Sequence, residues 1–412
     1  MKIKPHIALT TILTGAAVLI SEQGMAAGFY LTQVGTPLSI GTVGVANTVN
    51  TSGADAAWSQ PAGMVNLKRD TENVTGLTLL YPQMRFDSSV AEAGGKDGGN
   101  AGAIAIIPSH FTVKKLSDRT SVGLAITAPM GGAMDFGNNF VGRYGAEMVS
   151  LQGVGISPSI GYKVNDQLSI GGGVSIIYTL FEEDVAINPA LFPGMESDGK
   201  VKMKNMDDWG YQPFLGLTYA LTDQVLLGVV YRAEMDVDLS GDLKIEGPPL
   251  PGGDLDLSWK NPQWLEAALR FDLGNEYYLA TNLGWQDWSE FSENSLEVAQ
   301  GVKVLDRKWK DTWRTGVAFG HFNGTQGWAF GLSYDSSPVS DKNRTIDLPM
   351  DEQLQAGASY FVQGERFSYA LGTSLLYAGK GKVDQTAQGV RFKGEFDTNL
   401  VLSLGGTIRY TF

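Results

Sequence analysis

Apolar and polar side chains alternate with a period of two along much of this chain. Near its end, Leu402 and Leu404 fall on one face and Ser403 on the other, and segments 327–334 and 367–377 repeat the pattern. Because successive side chains of a strand point to opposite sides, each segment has one apolar face and one face of polar or small residues. The alternation predicts β-strands with one face in an apolar environment.

The length of these segments favours a membrane barrel over a soluble β-sandwich. They run to about 10–15 residues, as tilted membrane-spanning strands do, whereas strands of soluble proteins average about 5–6. We count fourteen candidate strands, which start near residues 71, 101, 119, 149, 168, 206, 224, 253, 276, 307, 325, 351, 366 and 396.

The connections between these strands alternate between short and long. Tight polar turns lie near residues 118, 166, 223, 275, 324 and 364, and long connections span 83–100, 130–148, 186–205, 241–252, 287–306, 336–350 and 380–395. This asymmetry is typical of single-chain outer-membrane barrels, and hydrocarbon requires a sheet without an edge. Residues 69–412 are therefore predicted to form an all-β, fourteen-stranded antiparallel transmembrane β-barrel in the outer membrane of a Gram-negative bacterium.

The first residues predict a secretion signal. Lys2 and Lys4 precede an apolar run over 7–20, and Gly24 and Ala26 are small residues placed for cleavage. The alternative, a transmembrane helix, would need roughly 20 apolar residues. We expect a signal peptide at residues 1–26.

Residues 27–68 do not alternate and are too long for a linker. They are rich in small and polar residues with few charges, which suits a compact plug, or hatch, inside the barrel. A disordered tail is the alternative, but the low charge and scattered apolar residues count against it.

Composition narrows the functional classes. The chain has no cysteine, which excludes thiol catalysis and thiolate metal sites, and its net charge of −13 argues against a nucleic-acid partner. We identify no metal-ligand spacing, cofactor motif or catalytic group. Of three histidines, His6 leaves with the signal, and neither His110 nor His321 is placed for catalysis at the long loops.

Several ordered motifs resemble those of the FadL-type long-chain fatty acid transporters. They are Ala27-Gly28-Phe29, then Gln60-Pro61-Ala62 where the family usually has Asn-Pro-Ala, then Asp287-Trp288-Ser289 with Phe291, and then Tyr334-Asp335-Ser336-Ser337-Pro338-Val339. The resemblance covers about 380 residues and implies passive transport of hydrophobic compounds by a monomeric barrel plugged by a hatch. It implies no cofactor.

The resemblance also implies that substrate leaves sideways through a gap at a kink in the third strand. Here that strand runs into Pro129, followed by Gly131 and Gly132. Proline lacks the N–H that a ladder needs and glycine weakens pairing, so a break in the wall is expected. The alternative is that Pro129 merely ends the strand.

Two apolar loop stretches predict a groove that captures substrate outside the cell. The first contains Ile187, Leu191 and Phe192, and the second contains Leu250. Several exposed apolar residues together suggest binding, although packing of the loops on themselves is an equal alternative.

The resemblance places the hatch N-terminus, here Phe29, and a lysine, here Lys310, at an interior pocket. Lys310 is a candidate partner for a carboxylate, with a rim lysine as the alternative. Acidic residues at 182–184 stand where the family offers an arginine, and they disfavour an anionic head group. The substrate therefore stays open between fatty acids and neutral or aromatic hydrocarbons.

We thus expect uptake of hydrophobic compounds, with a general porin as the main alternative and an outer-membrane enzyme as a weaker one. The expected partners are the substrate, outer-membrane lipid and lipopolysaccharide. Terminal Phe412 resembles the signature by which the barrel assembly machinery recognises its clients, and an ordinary aromatic strand end is its alternative.

Overall fold

The computed structural model describes residues 35–248, 250–298 and 301–411. The predicted signal peptide, Phe29 and Phe412 fall outside these ranges. The described residues contain nineteen strands in one antiparallel sheet. They are β1 Thr71–Ala91, β2 Ala105–Lys115, β3 Thr120–Asp135, β4 Met148–Lys163, β5 Leu168–Ile187, β6 Gly199–Thr222, β7 Val225–Arg232, β8 Met235–Glu246, β9 Gly253–Asn261, β10 Trp264–Gly274, β11 Tyr277–Gln286, β12 Glu293–Val298, β13 Gly301–Asp306, β14 Thr312–Phe322, β15 Gln326–Asp335, β16 Gln353–Val362, β17 Phe367–Tyr377, β18 Val383–Ala387 and β19 Val390–Thr411.

Fourteen of these strands close into a ring, which confirms the predicted barrel. Pairing runs from β1 through β7, then to β10, β11, β14, β15, β16, β17 and β19. The ring closes because β19 pairs with β1, from Glu72 opposite Thr411 to Ala91 opposite Phe392. Closure joins the first wall strand to the last, so neither of them is left as an edge of the sheet.

The period of two in the sequence separates the lipid-facing side from the lumen. Leu215, Leu332 and Leu371 are each more than half exposed on the outer surface. Their neighbours Gly216, Gly331 and Gly372 face inward, where a β-carbon would meet Gln60, Thr42 or Pro37. A belt of exposed leucines is unfavourable in water and suits contact with lipid.

The six tight turns lie where they were predicted, but the long connections hold more strand than expected. β1 continues to Ala91, into a predicted loop. β8 and β9 form a hairpin that stands outside the fourteen-stranded ring, called here the raised hairpin, and β12, β13 and β18 lie within predicted loops. The predicted loop bounds were wrong there because backbone pairing continues beyond the lipid. Water contacts a strand at that height, so its sequence need not keep an apolar face.

Short helices make up much of residues 35–70, the described part of the chain before β1. They are α1 Pro37–Gly41 and α2 Ala56–Ser59, with 3₁₀ helices at Asn47–Val49 and Pro61–Asn66, and two more 3₁₀ helices lie at Pro189–Leu191 and Glu290–Ser292. The proline at the first position of α1 suits a helix start, and Thr36 accepts a hydrogen bond from the Ser39 backbone N–H. None of the helices in the described ranges has the length and apolar character needed to cross a membrane.

Residues 35–68, called here the N-terminal segment, pack against strands on all sides of the ring. α1 contacts β16 and β17, Asn47–Val49 contacts β7 and β10, α2 contacts β3 and β4, and Pro61–Asn66 contacts β4, β5 and β6. One short segment can touch all of these strands only from within the ring.

Candidate ligand-binding site

The barrel encloses an apolar cavity towards the end that carries the long connections. Its volume is about 1020 Å³, part of which is open to solvent. The cavity lies at the meeting of β1, β3, β4, β5, β6, β9, β12 and the connection 336–352, and its apolar lining residues are Met84, Ala133, Met134, Val149, Leu151, Phe181, Met203, Leu257, Trp259, Phe291, Leu296, Leu305, Leu348, Pro349, Met350 and Ala378. A lining of this apolar character suits a hydrophobic ligand.

Aromatic rings form one wall of the cavity. The Trp259 ring lies edge-on to Phe181 and Phe291, with centroids 6.1 and 6.3 Å apart. Behind them, Trp309 packs on Phe291 at 4.7 Å and on Trp288 at 5.3 Å. Interlocked rings of this kind hold the wall in a fixed shape.

Polar side chains gather at one place in this apolar lining. Arg307 Nη2 lies 2.8 Å from Asp347 Oδ2, and its Nη1 donates to Thr345 Oγ1 at 3.1 Å. Arg307 Nε donates to Asn294, and Glu183 lines the same cavity. Among the described lining residues, Arg307 is the single cation.

The two carboxyl groups of this cluster have opposite pKa shifts. The neighbours of Glu183 in β5, Glu182 and Asp184, form ion pairs with Lys204 at 2.8 and 3.3 Å. Because charged groups are costly in lipid, this part of β5 lies outside the lipid-facing band. Burial, and then the negative charge of Asp347, raise the pKa of Glu183 to about 8. Burial also opposes ionisation of Asp347, but Arg307 holds the pKa of Asp347 below its usual value.

The wall is interrupted at β3, close to the predicted kink. Ala128 and Pro129 together oppose only Val154 of β4, because Thr127 pairs with Gly155 and Met130 with Gly153. On its other side, β3 pairs with β2 only up to Ile126 opposite His110. Within the described residues, 127–133 have no partner on β2.

The unpaired stretch of β3 adjoins the cavity. Gly131 and Gly132, with Ala133, belong to its lining. The opposite lip is formed by residues 105–109 of β2, which pair with β1 but not with β3. Pairing resumes only where Met134 bridges to Gly102. The cavity therefore lies directly behind a gap in the hydrogen-bonded wall.

The two loops named as a capture groove meet in space. A β-carbon at Gly199 would lie 3.1 Å from Met195 Cε and 3.0 Å from Pro248 Cδ, so residues 189–199 contact residues 247–248. Leu191 is 52% exposed and Leu250 45% exposed.

The other two groove residues differ in exposure. Phe192 is partly exposed, whereas Ile187, at the end of β5, is buried at 6% exposure. Ile187 therefore offers no surface to a ligand outside the barrel.

Gln60, Pro61 and Ala62 bind the N-terminal segment to the wall. The Gln60 side-chain amide donates to the carbonyls of Thr48, Leu217 and Val229 at 2.7, 3.1 and 3.3 Å. Pro61 and Ala62 lie so close to β5 that a β-carbon at Gly171 would be 2.6 Å from both Ala62 N and Pro61 C.

Buried arginines of the wall hold the same segment. The Arg232 guanidinium lies 4.2 Å from the ring centroid of Trp58 and 4.4 Å from that of Phe214, and it donates to the Trp58 carbonyl and to Ser175. Arg314 donates to the Val43 carbonyl and forms an ion pair with Asp335 at the end of β15.

Lys310, the predicted pocket cation, does not line the cavity. Its side chain is exposed, and its backbone N–H donates to the Pro338 carbonyl at 2.8 Å. Arg307, three residues earlier, occupies the place that sequence reasoning gave to Lys310, and Asp347 was missed altogether. The acidic residues at 182–184, which include Glu183, were the one signal in the sequence of acidic groups at this cavity.

The histidines of the described part of the chain were weighed in the sequence as candidate catalytic groups. His110 donates to or accepts from Thr75 and Thr112 within the wall. In residues 35–248, 250–298 and 301–411, no group of three or more His, Asp or Glu is placed to hold a metal ion.

A closed fourteen-stranded barrel with a lipid-facing belt defines an outer-membrane β-barrel protein. The family model described as "Outer membrane protein transport protein (OMPP1/FadL/TodX)" matches residues 17–412, and the chain belongs to this family. Its description is one of transport and not of catalysis, and its members are outer-membrane proteins of Gram-negative bacteria.

Relatives and solved structures agree with this assignment. The chain is 24% identical over 409 residues to the long-chain fatty acid transport protein of Salmonella typhi, covering 90% of this chain and 92% of that one. It resembles the structure of a Pseudomonas aeruginosa FadL homologue with a TM-score of 0.85 and 19% identity, over 93% of this chain and all of the other. The Pseudomonas putida toluene transporter TodX matches with a TM-score of 0.70 and 16% identity, over 93% and 99%.

Proposed function

We propose that this protein carries long, mostly apolar molecules across the outer membrane by passive diffusion. The observation that carries the proposal is the apolar cavity directly behind the unpaired stretch of β3. Relatives named for transport of long-chain fatty acids and of toluene support the substrate class, fatty acids or neutral and aromatic hydrocarbons. The proposed division of the chain is the one expected from the sequence: a signal peptide at residues 1–26, a hatch at 27–68 and a barrel at 69–412.

The ligand leaves sideways into the bilayer through the gap at Pro129, Gly131 and Gly132. Each CH₂ that moves from apolar surroundings into water loses roughly 0.8 kcal/mol. Release into periplasmic water would forfeit this gain for every methylene of the ligand, whereas release between β2 and β3 into lipid preserves it. In β3, two residues oppose one residue of β4, and such a bulge bends the strand that carries it. This bend moves β3 away from β2.

Capture begins on the exposed loops at Leu191, Phe192 and Leu250. Two apolar segments that contact one another at the open end of the barrel provide a landing surface for a hydrophobic molecule. Ile187 is buried and takes no part in this surface.

The N-terminal segment acts as a hatch that keeps water from crossing the lumen. Its contacts with strands all round the ring count against a general water-filled porin. We place Phe29 near the pocket, on the family resemblance alone. We also propose that Phe412 is the signal that the barrel assembly machinery recognises. The barrel is proposed to contact lipopolysaccharide and to work as a monomer.

Deleting Pro129 tests the lateral route. With one residue fewer, Ala128 alone opposes Val154, and the β3–β4 ladder regains a one-to-one register. We expect cells that lack their own transporter to lose uptake of a labelled long-chain fatty acid or alkane when they express this variant. The purified variant should still bind the ligand.

The matched control is Pro129→Ala, which keeps two residues against one and so keeps the bulge. It should support uptake like the wild type. Surface display and the heat-dependent gel shift of a folded barrel verify that both variants are assembled. Full uptake by an assembled deletion variant would refute the lateral exit, while failure of the wild-type protein to bind either ligand would refute transport itself.

A further inference from the structure

The one cation among the described lining residues of the cavity already has an acidic partner, Asp347. Each of the three nitrogens of Arg307 already has an acceptor, on Asn294, Thr345 and Asp347. The Arg307 and Asp347 side chains are only 15% and 14% exposed, so water screens their contact weakly. A ligand carboxylate would have to compete with Asp347 for this guanidinium.

The charges around Arg307 also disfavour a second anion. Asp347 cancels the charge of Arg307. Asp351, which lines the cavity too, is balanced from behind by Arg344 at 3.0 Å. Burial keeps the pKa of Glu183 high, so near neutral pH this group is largely an uncharged hydrogen-bond donor. The cavity thus holds no free positive charge among its described lining residues.

We propose that Asp347 is a specificity-determining residue, which by occupying Arg307 makes the cavity select uncharged ligands over carboxylates. This inference rests on the proposed transport function. The favoured class is an apolar chain or ring that carries no charge, such as a hydrocarbon or a long-chain alcohol, whose hydroxyl can accept from Glu183. A chain that ends in a carboxylate meets Asp347 instead of an available guanidinium.

The test compares tetradecanol with tetradecanoate, two ligands that share a chain and differ in the head group. Binding is followed by quenching of tryptophan fluorescence in protein held in lipid nanodiscs, because Trp259 lines the cavity. The pH is kept where the free acid is ionised. We expect wild-type protein to bind the alcohol more tightly than the acid, by about tenfold or more.

Asp347→Asn should release Arg307 and raise the affinity for tetradecanoate by about tenfold while leaving that for the alcohol nearly unchanged. The matched control is Asp254→Asn, which removes an exposed carboxylate outside the cavity lining and should change neither affinity. In case Asp347→Asn does not assemble, the double variant Arg307→Met with Asp347→Leu replaces the pair by apolar groups, a change that buried ion pairs often tolerate. It should keep the preference for the alcohol.

A wild-type preference for the acid, or an Asp347→Asn variant whose preference is unchanged, would overturn the inference while leaving transport intact. An acid preference in the double variant would overturn it as well. If wild-type protein binds neither ligand, the proposed function fails, and the inference fails with it.

Discussion

Arg232 offers the sharpest test of how the N-terminal segment is held. Arg232→Ala removes donors to the Trp58 carbonyl and to Ser175, and it removes the cation that lies between the rings of Trp58 and Phe214. Hydrogen bonds to a charged group contribute about 1.5–3 kcal/mol each, and a desolvated cation–π contact about 2 kcal/mol. Because such terms do not add fully, we expect the docked segment to lose about 3–5 kcal/mol.

A loss of that size raises the population of barrels with an undocked segment by a factor on the order of 10³. Planar-bilayer recordings should then show frequent openings, and protease should cut residues 35–68 faster than in wild-type protein. Arg270→Ala is the control, because Arg270 also stacks on an aromatic ring, Tyr278 at 4.5 Å, but lies near a tight turn away from the segment. Arg232→Lys should be intermediate, since it keeps the charge and loses the planar fork.

The heat-dependent gel shift verifies that the Arg232 variants are folded barrels. If folded Arg232→Ala is as closed to ions and as resistant to protease as the wild type, the reasoning is refuted. The segment would then be held by its other contacts alone, such as those of Gln60 and Arg314.

Three further outcomes follow from the geometry. Gly171→Val should loosen the segment and accelerate its proteolysis, because a β-carbon there would lie 2.6 Å from Ala62 N; an unchanged cleavage rate would contradict this. The raised pKa of Glu183 means that this group favours the folded state below its ordinary value of 4.5 and loses that contribution as pH rises to about 8. Melting temperature should therefore fall over that window in wild-type protein and fall less in Glu183→Gln, and equal slopes would argue against it. Lys310→Ala should leave binding of both tetradecanol and tetradecanoate unchanged, and a selective loss of the acid would restore Lys310 as the head-group partner.

Much of the barrel was predictable because its pattern is local. The alternation at Leu402 and Leu404 fixes which side of β19 faces lipid, and the tight turn near residue 118 fixes where β2 passes to β3. At Pro129 the sequence predicts a kink, because a residue without an N–H weakens a ladder, and the register of β3 against β4 shifts between Thr127 and Met130. That this irregularity is an exit for ligand stays a prediction. The raised hairpin of β8 and β9 was placed less well, because a strand surrounded by water leaves a weaker pattern.

The sequence by itself determined the class of fold and the number of wall strands. Only the tertiary structure decided which charges meet in the cavity. Glu183 lies in β5, Arg307 directly follows β13 and Asp347 lies in the connection 336–352. Their approach depends on the closure of the ring and not on spacing. Lys310 and Arg307 are three residues apart and chemically alike in sequence, yet one lies in water and the other beside Asp347, because the direction of a side chain is set by the packing around it.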